Sequence, residues 1–419
     1  MIKIYNLGLI LLAIIFLPII LIAFVIKPKF RAGFFRKIGF YGNLKKDNDK
    51  KTILFHAVSV GEVNAVENLV KMTKQQHPEY EIVLTTTTKT GQGVANSKLK
   101  DIANKITYFP YDFSFSVKSF LNTLKPDKII IAETEIWPNF SKYAAKKGAE
   151  LYIVNGRISP NSFKGYKKIK FFLKNVFDNY TKILMQTAGD AQRMREIYSD
   201  NDKIQVMGNL KFDINQNLSN DEIEKLKSEF KLDESPLFVA ASTHSGEDEL
   251  VLDVYKKAQK EIKNLKMIIA PRHPQRFAHV ENLLKQSGFS YGKRSEKATF
   301  SNSEIIMLDT MGELSKIYSL AYIAFIGGSF SNTGGHNPLE ANIWGVPVIS
   351  GPTVFNFKDI YKLLTQKNAA KIVNDQKEFE DLLLKFLQDK EFYSTCQSSI
   401  KQIFEESSGA IERALKEIF

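Results

Sequence analysis

The sequence predicts an α/β protein: two similarly sized, doubly wound Rossmann-like domains facing a cleft, preceded by an apolar helix that anchors them to a membrane. Three observations predict it. From residue 51 onward, short apolar runs alternate with amphipathic helical stretches, the rhythm of parallel sheets. The rhythm breaks at a polar stretch, residues 215–235, and restarts at Leu237. Ahead of both halves, Leu7 to Ile26 is an uncharged apolar run of 20 residues. At 419 residues and 44% hydrophobic content, the chain has room for two packed cores beyond such an anchor.

Taking the elements in order, residues 1–26 read as the anchor, because 20 apolar residues in a helix match the thickness of the hydrocarbon layer. Lys27, Lys29, Arg31, Arg36, Lys37, Lys45 and Lys46 follow with no acid among residues 27–46, and the positive-inside bias then puts the body in the cytoplasm and the amino terminus outward. A cleaved signal peptide would carry its basic residues before the run and small residues after it; here only Lys3 precedes and Lys27-Pro28-Lys29 follows. Pro18 at mid-span keeps a second mode open, shallow insertion into one leaflet. The neck, residues 27–50, also holds Phe30, Phe34, Phe35, Phe40 and Tyr41, an aromatic and cationic mixture suited to anionic lipid headgroups. The net charge of +12 is therefore a membrane signal first; no nucleic-acid reader motif is present, so nucleic acid is not an expected partner. Cys396 is the only cysteine, which excludes an intrachain disulfide and a cysteine-rich metal site.

The first domain spans 51–214, with strands over Ile53–His56, Ile82–Thr86, Ile106–Phe109, Ile129–Ala132, Leu151–Asn155, Lys182–Met185 and Ile204–Met207. Its first strand runs through Gly61 into Glu62, which opens a helix. Glu62 either does chemistry at a strand's carboxyl end or complements the helix dipole, and these residues alone leave both open. Glu133 and Glu135 directly follow another apolar strand, where acids are poor core material. Lys211 lies between the halves, positioned either to meet an anion or to sit in solvent. Asn155-Gly156-Arg157-Ile158-Ser159 is a further strand-end loop. Residues 215–235 are the expected hinge region.

The second domain spans 236–419, with strands over Leu237–Ala240, Met267–Ala270, Glu304–Leu308, Ile323–Gly327 and Val346–Ser350. Polar loops follow these strands, where open α/β sheets bind ligands: Ser242 to Glu247, Pro271-Arg272-His273-Pro274, and Met311-Gly312-Glu313. The fourth is Gly327 to Glu340, whose four glycines let backbone N–H groups approach an anion. There Asn337, Pro338 and Glu340 fit the N-cap, N1 and N3 positions of a helix, with Leu339 between them. For His56 and His336 a hydrogen-bonded structural role is at least as fitting as catalysis. No His and carboxylate spacing suggests zinc, and Asp47-Asn48-Asp49 and Asp200-Asn201-Asp202 read as solvated turns.

Together, His56 to Glu62, Glu133 to Asn139, Lys211-Phe212-Asp213, Ser242-Thr243-His244, Pro271 to Pro274 and Gly334 to Glu340 resemble the bacterial 3-deoxy-D-manno-octulosonic acid (Kdo) transferases of lipopolysaccharide assembly, in order and spacing along nearly the whole chain. The resemblance implies a GT-B glycosyltransferase that moves Kdo from CMP-Kdo to a tetraacylated lipid A precursor (lipid IVA), with inversion and without a metal or other cofactor, at the cytoplasmic face of the inner membrane. It implies Glu62 as the catalytic base, Glu133 and Lys211 as transition-state helpers, and Pro271, Arg272, Met311, Gly312, Glu313, Asn337, Pro338, Leu339 and Glu340 as CMP-binding residues. Ala132 stands where that family commonly has Met, Gly156 where it has Ala and Gln275 where it has Glu. The rival readings are a membrane-associated GT-B enzyme using a UDP-sugar and a non-catalytic anchored nucleotide-binding protein. The number of Kdo units added and the oligomeric state are left open.

Overall fold

In the computed structural model, residues 2–26, 31–42, 44, 49–214 and 218–419 are described. Lys27, Lys29, Phe30, Lys45, Lys46, Asp47 and Asn48, all invoked from sequence, lie outside the described residues.

Apolar runs rich in Ile, Val and Leu become strands because helices cover both faces of each sheet, so consecutive residues of a central strand are buried on both faces, as in Thr52–His56 and Ile129–Ala132. Among the described residues, the first sheet contains β1 (Lys51–His56), β2 (Tyr80–Thr86), β3 (Lys105–Tyr108), β4 (Lys128–Ala132), β5 (Glu150–Gly156), β6 (Lys182–Met185) and β7 (Ile204–Val206). All pairings are parallel, in the order β3-β2-β1-β4-β5-β6-β7. Alternate residues of one strand point to opposite faces. Leu54, Ile129, Ile131 and Ile153 enter one core, while Ile53, Phe55, Ile130 and Val154 enter the other. The second sheet contains β8 (Leu237–Thr243), β9 (Lys266–Pro271), β10 (Tyr291–Lys293), β11 (Ile305–Met307), β12 (Ile323–Ile326), β13 (Val348–Ser350) and β14 (Ala370–Ile372). It too is parallel throughout, ordered β10-β11-β9-β8-β12-β13-β14. Twelve of these strands coincide with the expected apolar runs; β10 and β14 are additions at the two edges.

Two compact units result: residues 1–213 with 407–419, and residues 214–406. The expected boundaries need two corrections. Residues 215–235, a polar stretch whose pattern reads as helical in part, do hold a helix, Asn220–Phe230, started by a reciprocal Ser219–Glu222 capping box, but it belongs to the second unit rather than to a separate hinge region. Phe230 is fully buried and packs against Phe300 and the Arg294 guanidinium of that unit. Nor do residues 236–419 form one domain. The final helix, Ala410–Ile418, returns to the first unit, where Ala410, Ile411, Ala414, Leu415 and Ile418 join the core holding Met207 and Leu210. Asp213 fixes the return: Oδ1 accepts the Gly409 N–H at 2.6 Å and Oδ2 the Ile411 N–H at 2.5 Å. Burying each large apolar side chain contributes about 1.5–3 kcal/mol, so Ile411, Leu415 and Ile418 alone rival the net stability of a typical domain. A chain ending at Ser407 is expected to lose protease resistance across residues 51–213 while residues 214–406 keep theirs; unchanged digestion of the first unit would contradict this.

The amino-terminal apolar run forms one helix, Ile2–Ile26, with no buried residue and an 18-residue stretch of mean hydropathy 3.5, long enough to cross a membrane.

Candidate active site

In a doubly wound sheet, ligands gather at the carboxyl ends of strands where the strand order reverses. In the first unit that point lies between β1 and β4. Both acids predicted from sequence flank it: Glu62 in the first turn of helix Val60–Gln76 after β1, and Glu133 immediately after β4. Glu62 is buried, with 7% exposure, and its two carboxylate oxygens accept from Val58 N–H at 2.8 Å and from Ser59 Oγ at 3.0 Å. The carbonyl of Val58 in turn accepts from the N–H groups of Thr87 and Thr88, so the loop presenting Glu62 is fixed from a neighbouring strand end. Burial, reinforced by the charges of Glu133 and Glu135, raises the Glu62 carboxyl to about 7 against the two hydrogen bonds that favour its ionised form. Burial and then Glu133 also raise Glu135.

Glu133 sits at φ +56°, a left-handed conformation that a non-glycine residue holds only when its surroundings enforce it. Its N–H donates to Val154 O at 2.9 Å, and its carboxylate pairs with Arg157 at 3.2 Å. Asn155 at the end of β5 shares this conformation, with φ +56°, and its Oδ1 accepts the Leu210 N–H at 3.1 Å. That bond secures the turn Leu210–Phe212, which packs against the helix Val60–Gln76 and carries the half-buried Lys211. The strand-end positions of Glu62, Glu133 and Lys211 thus belong to one assembly, with Glu135, singled out beside Glu133 in the sequence, and Arg157, whose pairing with Glu133 the sequence did not signal, as further members. Asp213, read only as part of a motif, is the cap of the last helix described above. His56 is structural: buried, stacked on Phe109 at 3.7 Å, bonded to Thr85 Oγ1 at 3.1 Å and driven by burial to about 3, hence neutral.

The second unit reverses its strand order between β8 and β12, and here the Gly-rich loop departs from expectation. The N–H groups of Gly328, Ser329 and Phe330, free in sequence to meet a phosphate, are taken by the Glu247 carboxylate at 2.7, 2.8 and 2.8 Å. Glu247 also accepts from the His244 N–H at 2.8 Å and is 1% exposed. Gly327 is required because a Cβ there would lie 2.5 Å from Ser242 O and 2.8 Å from Glu247 Oε2. The expected capped helix after this loop is a single turn, Leu339–Asn342, and its N-cap is Pro338 rather than Asn337, because the chain enters the turn one residue later; Asn337 Oδ1, just before the cap, accepts the Leu339 N–H at 3.2 Å.

The remaining strand ends bring different chemistry. His244 and His336 share a 2.9 Å Nε2–Nε2 hydrogen bond, and His273 stands edge-on to His244 at 5.5 Å. Burial first, then Arg272 and the neighbouring rings, pushes His336 down to about 4; burial first also lowers His244. These two rings are accordingly neutral at neutral pH. Arg276 is committed to Asp248 and to Thr243 O, whereas the Arg272 guanidinium is exposed, with Pro271 buried just before it. Met311 is exposed, Gly312 turns at φ +85°, and Glu313 is held by Arg294 at 2.9 Å and by Thr310. All nine expected nucleotide-binding residues therefore lie at or shortly after carboxyl ends of strands of one sheet. Among the described residues, no group of three His, Cys, Asp or Glu side chains is arranged to hold a metal ion.

Residues 32–214 match a family model described as 3-deoxy-D-manno-octulosonic-acid transferase (kdotransferase). The chain is also 34% identical, over 394 residues, to the 3-deoxy-D-manno-octulosonic acid transferase of Haemophilus influenzae, covering 93% of this chain and 91% of that one. The chain belongs to the Kdo transferase family. It is thus a glycosyltransferase of lipopolysaccharide biosynthesis. Among solved structures, a C-terminal CMP-Kdo binding domain of WaaA from Acinetobacter baumannii is 28% identical, covering 44% of this chain and 97% of that one with a TM-score of 0.42. The MurG structure of Acinetobacter baumannii shares only 13% identity but covers 88% of this chain and 99% of its own, with a TM-score of 0.53, a likeness of GT-B fold alone.

Proposed function

We propose that this Kdo transferase takes Kdo from CMP-Kdo and attaches it, with inversion, to the tetraacylated lipid A precursor lipid IVA at the cytoplasmic face of the inner membrane. The observation that carries the reading is Glu62, a buried carboxylate raised to about 7 beside two further acids at the strand-order reversal. A base is most useful when its pKa lies near the working pH. Glu62 takes the proton of the acceptor sugar hydroxyl as that oxygen bonds to the anomeric carbon of Kdo. The bond from that carbon to the CMP phosphate oxygen breaks, and the electron pair leaves with CMP. Lys211 and Glu133 help stabilise the transition state, Glu133 oriented by its contact with Arg157.

On the donor side, Arg272 offsets the phosphate charge, since Glu247 already occupies three of the loop amides that would otherwise do so. Glu313, pre-oriented by Arg294, offers an acceptor to the nucleoside, and Pro271, Met311, Gly312 and the 337–340 turn (Asn337, Pro338, Leu339, Glu340) complete the CMP site. The basic, aromatic residues around 31–41 favour anionic lipid as the membrane partner.

Mass spectrometry of the lipid product tests this, with detergent-purified protein given CMP-Kdo and tetraacylated precursor, and UDP-sugars in parallel. A gain of one or more Kdo masses is expected. Transfer from a UDP-sugar with no Kdo product would leave the fold standing and remove the donor assignment.

A further inference from the structure

The apolar helix Ile2–Ile26 is held by the first unit near both of its ends. At its start, Tyr5 Oη donates to the buried Asp112 carboxylate at 2.9 Å, and the Tyr5 ring packs on Phe172 at 5.8 Å. Asn6 Oδ1 accepts from Asn139 Nδ2 at 2.5 Å. Asp112 is no loose surface acid, because its oxygens also accept the N–H groups of Asn139 and Phe140 at 2.9 and 2.8 Å. Toward the helix's other end, Phe24 packs edge-on against Phe34 at 4.9 Å. Phe34 opens the turn Phe34–Lys37, which is tied to the same unit: Lys37 O accepts the Tyr111 N–H at 2.7 Å, and Tyr41 is buried in the core.

Tyr5 and Phe24 are separated by nineteen residues of helix, about 28 Å at 1.5 Å per residue, close to the roughly 30 Å of a bilayer's hydrocarbon layer. A helix crossing that layer would carry Tyr5 and Asn6 to the face opposite Asp112, Asn139 and Phe172. The contacts and a crossing exclude one another. Yet Leu11, Ile15, Ile19 and Ile22 are all about half exposed or more, which in water would be a liability that lipid removes. The unit's own surface near the two contact points is aromatic and basic: Phe35, Phe40 and Phe171 are exposed at 68%, 68% and 76%, with Lys168 and Lys170 beside the last. Such a rim suits an anionic headgroup layer.

We propose that the Ile2–Ile26 helix is a monotopic anchor: it stays within the leaflet that faces the first unit, both ends on the side of that unit, and the partner of this face is an anionic lipid leaflet. This rests on membrane attachment within the reading above but not on the sugar transferred. Asp112 and Asn139 lie beyond the carboxyl ends of β3 and β4, on the side of the sheet where Glu62 and Glu133 stand. A helix held there brings the leaflet to the acceptor's side of the unit.

The test uses the full chain with Cys396→Ala, carrying either Lys3→Cys or, as a marker for the first unit, the exposed Lys147→Cys. A membrane-impermeant maleimide is applied to sealed inverted inner-membrane vesicles and to intact spheroplasts. Both cysteines are expected to react in inverted vesicles and neither in spheroplasts. A separate Asn6→Cys/Asn139→Cys chain, also carrying Cys396→Ala, is expected to form a 6–139 cross-link, a disulfide, on mild oxidation in native membranes, since the two side chains meet at 2.5 Å. Reaction of position 3 in spheroplasts, or failure of the 6–139 cross-link, overturns the proposal. Kdo transfer measured on the same vesicles is independent of either result.

Discussion

Replacing Glu62 by Gln is expected to lower kcat for Kdo transfer by about 10²–10⁴-fold, the usual contribution of a general base, while CMP binding is retained. Gln keeps the shape of the side chain and can still accept from Val58 N–H, so the loop does not have to rearrange. The pH dependence follows from the raised carboxyl. Glu62 must be ionised to accept a proton, so activity should fall as the pH drops through about 7 and level off above it. Stability runs the other way. Because the folded-state value is raised from 4.5 to about 7, the protonated form stabilises the fold, and that contribution is lost as pH rises from about 4.5 through 7. At pH 8 the Gln variant should therefore unfold later than the parent, by on the order of 1–3 kcal/mol, and the advantage should vanish near pH 4. An inactive variant with unaltered stability at pH 8 would leave the catalytic role but remove the burial argument. A variant with near-normal transfer would sink the base assignment itself.

What the sequence made legible depended on whether a signal was local. Central strands such as Ile129–Ala132 are buried on both faces, so they appear as continuous apolar runs. Tyr291–Lys293 and Ala370–Ile372 escaped notice because edge strands three residues long carry too little apolar pattern. Glu133 could be found because an acid directly after an apolar strand is anomalous in itself, whereas Glu62, in the first turn of a helix, is equally readable as a dipole partner and takes its role from the family resemblance. The helix Ala410–Ile418 was readable as amphipathic, but nothing local says which core receives its apolar face; that is decided by Asp213, some 200 residues earlier. In the sequence Glu247 stands as the last residue of a polar loop after β8. Its bonds to residues 328–330 exist only because β8 and β12 are neighbours in the sheet, a pairing no local pattern encodes.

That pairing makes Glu247→Ala the second large effect to expect. One carboxylate accepts four backbone N–H groups, from His244, Gly328, Ser329 and Phe330, at 2.7–2.8 Å and at 1% exposure. Removing it leaves these donors without an acceptor, at about 1–3 kcal/mol for each buried group. Even with partial relaxation, a total of about 4 kcal/mol or more is a large part of a domain's stability. Gln does not rescue the site, since its amide –NH₂ would face two of the donors. Asp is one methylene too short to reach across from the helix to the loop. The measurement is amide hydrogen exchange, which should rise sharply at residues 328–330 in Glu247→Ala, together with weaker CMP binding because the Gly334–Glu340 segment extends from the same loop. A residue that touched the nucleotide directly would behave differently: CMP affinity would fall while those amides stayed protected. Unchanged exchange at 328–330 would therefore overturn the view of Glu247 as the residue that holds the donor loop in place.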